Sequence, residues 1–164
     1  MAVNEYSLYG SMIVTINGTQ AQLQLQEFAN RVANMRSLYG DLSRYMYRSV
    51  MQNFNSRGRP YKWQALKPQT VERKRRAGST RPNVPLYRTG RMKHGIKASH
   101  NKHEARVSVN EDYAIYHHGK VNDKYNPASK ATKYMPQRRF MLFQEEDQAY
   151  IEMKTLGHIV GNLR

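Results

Sequence analysis

The chain has 164 residues, one ordinary domain's worth of sequence: enough to bury a core, short for two domains. Its 27 Lys and Arg stand against 12 Asp and Glu, a formal charge of +15 with a pI near 10.2, which implies an acidic partner. The absence of cysteine excludes disulfide and thiolate chemistry and fits a reducing cytoplasm, while no apolar run approaches the roughly 18 residues of a membrane span and "MAVNEYSLYG" lacks the basic start and apolar run of a leader.

In chain order, "SMIVTING" (11–18) is short, β-branched and closed by Asn-Gly, which predicts a strand ending in a turn. Thr19 with Gln22 three residues on fits a capping box, and Leu25, Phe28, Val32, Met35, Tyr39, Leu42 and Met46 recur at spacings of three and four. This predicts one long amphipathic helix with Gly40 as a point of bending. Its apolar face would lie against a sheet or another subunit, and Arg31, Arg36, Asp41, Arg44 and Arg48 mostly fall on the wet side.

From Asn55 to Arg106 fifteen cations meet only Glu72 and Glu104, so the excess charge is concentrated there. Pro68 suits the first turn of a short helix through "QTVERKRRAG", with Gly78 as its stop. "STRPNVP" reads as an extended, mobile loop, because two prolines and small polar residues offer no periodic apolar face. "GIKASHNKHEARVSVN" splits into two alternating runs around "HNKH", an antiparallel hairpin with Ile96 and Ala98 on one face and Ala105, Val107 and Val109 on the other strand's matching face. "DYAIYHHG" predicts a single helical turn or a strand end, and a polar loop follows between Lys120 and Lys133. "MPQRRFMLF" leads into a C-terminal helix with Phe143, Tyr150, Ile151, Leu156, Ile159, Val160 and Leu163 as its apolar face. Glu145, Glu146 and Asp147 occupy its first turn, where the positive end of the helix dipole favours acids. The fold class expected is α+β: a small antiparallel sheet against a long N-terminal helix and a C-terminal helix, with a long basic loop. All of it forms one domain over 1–164, divided as 1–54 (strand and helix), 55–95 (basic loop region) and 96–164 (hairpin and C-terminal helix).

The histidines invite a metal reading, with His100 and His103 three apart and His117 and His118 adjacent. Acidic ligands are scarce nearby and cysteine is absent, so neither a metal nor another cofactor is expected. A His-Asn-His nuclease would use His117 or His118 as general base and Asn126 as an orienting residue, but the next histidine is His158, inside a predicted helix. No Gly-rich phosphate loop occurs, and the chain is read as non-enzymatic. The run Arg73, Lys74, Arg75 and Arg76 has two readings. It could neutralise phosphates or an acidic partner, or it could be a solvated helix end where cations suit the dipole; no stacking aromatics interleave it. Trp63, the sole tryptophan, reads as a packed anchor for its loop.

Four segments in order carry a resemblance: "NFNSRGRPYKWQALKPQT", "PLYRTGRMKHGI", "DYAIYHHG" and "MPQRRFMLF". Together they resemble the phage virion morphogenesis, or tail completion, family of tailed bacteriophages, from about Met51 to the C-terminus. The resemblance implies a structural virion protein at the head-proximal end of the tail, a tail completion or terminator protein. It would form a ring in the neck, sixfold by expectation, with connector and tail-tube proteins as neighbours, genomic DNA passing through the lumen, and no membrane. Twelve Tyr and nine Met would supply adaptable contacts between ring neighbours. On this reading Thr89-Gly90 forms the turn that starts the hairpin, Leu86 and Met92 enter the core, and Arg88, Arg91 and Lys93 face a neighbouring ring or DNA. Trp63, Arg138, Arg139 and Phe140 would likewise stand at a subunit boundary. A basic DNA-binding module is the alternative, and the nuclease a third reading.

Overall fold

A computed structural model describes residues 3–6, 12–15, 18–118 and 136–161. Strand β1 (Val3–Tyr6) pairs antiparallel with β2 (Met12–Thr15), Val3 opposite Thr15 and Tyr6 opposite Met12. Helices α1 (Gly18–Ala33), α2 (Arg36–Ser56), α3 (Pro68–Arg76) and the single turn α4 (Arg91–His94) follow. Next come β3 (Ile96–His100), β4 (Ala105–Val109), a 3-10 turn (Asp112–His117) and helix α5 (Glu145–Val160). The expected hairpin is β3–β4, with Ile96 opposite Val109 and His100 opposite Ala105. β1 was not anticipated. The polar loop of 120–133, Asn126 and Leu163 lie outside the described residues.

The fold is α+β, and α2 organises it. Leu38, Leu42, Met46, Val50 and Phe54 are buried at steps of four, so the apolar stripe winds slowly about the helix as it crosses β3 and β4. Val50, Phe54, Met92, Ile96, Ala114 and Phe140 form the core, with Trp63, Leu86, Val107, Val109 and Met141 packed against it. On β3 Ile96 is buried while Ala98 is exposed. α5 lies along α2, and α1 in turn lies along α5.

The expected single long helix is two. α1 ends where the Asn34 amide donates to the carbonyls of Asn30 and Arg31, and α2 begins where the Tyr39 amide donates to Met35. His158 Nε2 of α5 stands 3.2 Å from the carbonyl oxygens of both Arg31 and Asn34, and Arg31 Nη1 donates to the Val160 carbonyl at 2.8 Å. Carbonyls at the break, and the one that ends α5, thus meet a partner from a distant helix, which periodicity within the segment cannot reveal. Gly40 is no bend: it sits buried in α2 beneath His100, where a Cβ would stand 3.2 Å from the imidazole Nε2. Only the later part of the stripe reaches the core. Leu25, Phe28 and Val32 of α1 are 68%, 45% and 45% exposed, and α1 buries no residue.

α5 departs from its expected face in the same way. Tyr150 stacks on Tyr45 with ring centroids 3.7 Å apart, whereas Phe143, Leu156 and Val160 of the expected face are exposed, as is Met153 beside them. Asp147, read as a dipole acid, is buried and caps the helix: its Oδ2 accepts from the Gln144 amide at 2.9 Å and from Ser49 Oγ at 2.8 Å. "STRPNVP" folds back as turns rather than running extended, with Pro85 buried and the Val84 carbonyl held by Lys74 Nζ at 2.7 Å. No helix among the described residues is long and apolar enough to cross a membrane.

Candidate functional site

The four sequence segments converge, beginning at the end of α2. Arg57 and Gly58 both adopt positive φ (58° and 109°), which reverses the chain so that the Gly58 amide donates to Asn53 and the Trp63 amide to Arg57. Gly58 is required here, because a Cβ would fall 2.5 Å from the Tyr61 carbonyl oxygen and 2.8 Å from the Trp63 amide nitrogen. The turn delivers the Trp63 ring edge-on to Phe54 at 5.7 Å, and its Nε1–H donates to the Arg139 carbonyl at 3.0 Å.

"MPQRRFMLF" is then laced to "DYAIYHH". The Arg138 amide donates to the His117 carbonyl (2.9 Å), Arg139 Nε donates to the His118 carbonyl (2.9 Å), and His118 stands edge-on to Phe140 at 4.6 Å. Arg138 Nε and Nη2 both donate to the Gln64 carbonyl, at 3.1 and 3.0 Å, closing the link to the Trp63 segment. In "PLYRTGRMKHGI", Gly90 (φ 85°) caps α4 and Met92 enters the core with Leu86 packed against it, as expected. The turn at Thr89-Gly90 opens α4 first, and the hairpin starts only at Ile96.

The proposed contact residues therefore divide. Phe140 has no exposed surface and Arg138 is 6% exposed, so both belong to the chain's own interior rather than to a subunit boundary, and half-buried Trp63 works with them. Lys93 is half-buried and donates to Asn55 Oδ1 at 2.8 Å. Arg88, Arg91 and Arg139 are exposed, with Arg91 3.5 Å from Glu111.

The basic run divides as well, because residues about 100° apart on a helix cannot share one face. Arg75 and Arg76 pair with Glu72 on the outside at 2.6 and 3.1 Å, and Arg73 is exposed. Lys74 alone turns inward. It helps to line an open cleft of about 880 Å³ bounded by α3, residues 86–92, Tyr113, His117 and Arg138. Burial, then the neighbouring Arg138, pushes the Lys74 ammonium pKa down. His117 is likewise lowered by burial, then by Arg138 and His118, and its Nδ1 is buried without a hydrogen-bond partner among the described residues. Burial also lowers His118, with Arg139 adding to it. Among the described residues no three His, Asp or Glu side chains gather as a metal centre would need.

Sequence reasoning overlooked a second group of polar residues that holds the site's frame. Asn53 is fully buried; its Nδ2 donates to the Phe140 carbonyl at 2.7 Å and its Oδ1 accepts from Arg59 Nε at 2.9 Å. Arg59 also reaches Ser49 Oγ at 2.7 Å, and Gln144 Nε2 donates to the Arg59 carbonyl at 3.1 Å. For Asp147 the signal was present, since Gln144 and Asp147 have capping-box spacing; for Asn53 only its tertiary partners distinguish it from a surface helix residue.

With four separated segments joined around one cleft, comparison with known proteins becomes informative. No curated protein and no solved structure matches the chain. The model of the phage virion morphogenesis family matches residues 16–159, from the end of β2 almost to the end of α5, and the chain belongs to that family.

Proposed function

We propose that this chain is a non-enzymatic subunit of the head-proximal end of the phage tail, a tail-completion or terminator protein that forms a ring in the neck and joins head to tail. The family itself gives the chain a phage virion structural or assembly role; position and ring go further. The observation that carries them is α1. A 16-residue helix that buries none of its residues within its own chain, yet keeps Leu23, Leu25, Phe28 and Val32 on show, suits an arm completed by another subunit. Met153 and Leu156 of α5, the helix against which α1 packs, are also exposed and extend the apolar offering. A second copy of the chain is its natural partner in a sixfold ring. Connector and tail-tube proteins lie above and below, and genomic DNA passes through the lumen.

The test pairs solution with particle. Sedimentation should find the wild-type chain in higher assemblies and the Leu25→Ser, Phe28→Ser double variant as a folded monomer. Immunogold on purified particles should label the head–tail junction. A wild-type chain that stays monomeric at high concentration, or label elsewhere on the particle, would reject this reading. Exposed Arg73, Arg88 and Arg139, which have no carboxylate partner among the described residues, favour a second reading as a DNA-binding module. It predicts duplex binding that weakens steeply with salt, by about 0.9 in log–log slope per phosphate neutralised.

A further inference from the structure

Three features of the cleft between α3 and the Gly90 turn call for a ligand. Arg138 is 6% exposed, and its guanidinium donates to a neutral carbonyl, that of Gln64, with no acid paired to it among the described residues. Lys74 turns into the same space, donates to the Val84 carbonyl and has no carboxylate partner among the described residues. His117 brings a buried ring nitrogen that no described group satisfies. Among the described residues no carboxylate lines the cleft; Glu111 holds Arg91, and Glu72 holds Arg75 and Arg76. Buried cations are ordinarily paired, and a buried polar atom without a partner is uncommon.

We propose that this cleft receives an acidic side chain, aspartate or glutamate, carried on a segment of another protein. The carboxylate would sit between Lys74 and Arg138, with the His117 ring beside it and Arg88 at the mouth. Geometry favours a protein ligand over nucleic acid. A duplex presents its phosphates to rows of exposed cations, whereas Arg138 lies below the surface, where a slim side chain reaches and a phosphodiester backbone does not. Leu66, Leu86 and Tyr87 on the walls add apolar contact suited to a residue flanking the acid. The inference holds whether or not the chain forms a ring.

The experiment titrates the full-length, isotope-labelled protein with a blocked peptide of alternating glutamate and leucine, following the His117 ring signals by NMR and affinity by calorimetry. The peptide should move those signals, and its glutamine counterpart should not. Lys74→Gln should weaken binding about tenfold, as loss of one charge-assisted hydrogen bond implies. Arg75→Gln, with the same change in net charge at an outward position, should stay within about twofold. If Lys74→Gln fails to fold, Arg88→Gln replaces it with a loss again larger than that of Arg75→Gln. Equal losses from inward and outward variants would reduce the effect to net charge and overturn the proposal. So would glutamine-peptide binding of equal strength. Inorganic phosphate or a short DNA duplex moving the His117 signals at equal or lower concentration would overturn it too, by making the cleft a phosphate site.

Discussion

Replacing Phe140 by alanine separates folding from assembly. The ring has no exposed surface; it meets Phe54 at 5.0 Å and His118 at 4.6 Å and shares a core with Val50, Met92, Ile96 and Ala114. Removing a buried phenyl group costs about 3–5 kcal/mol, and two aromatic contacts place the expectation in the upper half of that range. For a chain of this length each kcal/mol lowers the melting temperature by about 2–4 °C, so a fall of about 8–20 °C should appear in a thermal scan. Arg75→Ala is the control. Arg75 is exposed and shares Glu72 with Arg76, so its loss should change stability by no more than about 0.5 kcal/mol. Virion yield should fall with Phe140→Ala because the subunit is poorly folded, not because a contact between subunits is missing. If Phe140→Ala unfolds within about 1 kcal/mol of wild type while virion yield collapses, the ring is not a core residue and the reasoning fails.

Three further outcomes follow from the same geometry. Gly58→Ala should cost about 1–3 kcal/mol, because its φ of 109° and the Tyr61 and Trp63 backbone atoms leave no room for a Cβ; since Trp63 is the sole tryptophan, a wild-type emission spectrum and midpoint would contradict this. Asp147→Ala leaves the Ser49 hydroxyl proton and the Gln144 amide without their acceptor, so urea unfolding should show a loss of at least about 2 kcal/mol, with Asp147→Asn intermediate; equal losses would deny the carboxylate its capping role. Stability should fall as pH drops below about 6.5, because burial and adjacent arginines hold His117 and His118 neutral in the fold while the unfolded chain takes up protons there. Above that pH both states are neutral and the contribution is complete; it is lost progressively down to the lowered folded-state pKa values. Urea midpoints that rise on acidification through this window, or a His117→Gln, His118→Gln variant with an undiminished slope, would contradict the assignment.

Local chemistry settles much of this protein before any tertiary contact forms. Proline at the start of α3 and Gly78 after it, alternation in β3 and β4, and the acids opening α5 act within a few residues of themselves, so those elements are legible in the sequence. The four family segments are legible too, as is the concentration of charge between Asn55 and Arg106. What the chain cannot announce locally is which apolar stripe finds a partner. Leu25 and Leu42 lie on one continuous pattern, yet only Leu42 is covered, because β3 and β4 stop beneath α2 and His158 receives the carbonyls at the break before it. The same holds for charge. Four adjacent cations look alike in the run at Arg73, but helix geometry sends Lys74 inward to Arg138, 64 residues away in sequence, and leaves its neighbours to Glu72 or water. Burial and pairing are properties of distant segments meeting in space, which is why the cleft, its lowered pKa values and the interior place of Phe140 came only with the tertiary structure.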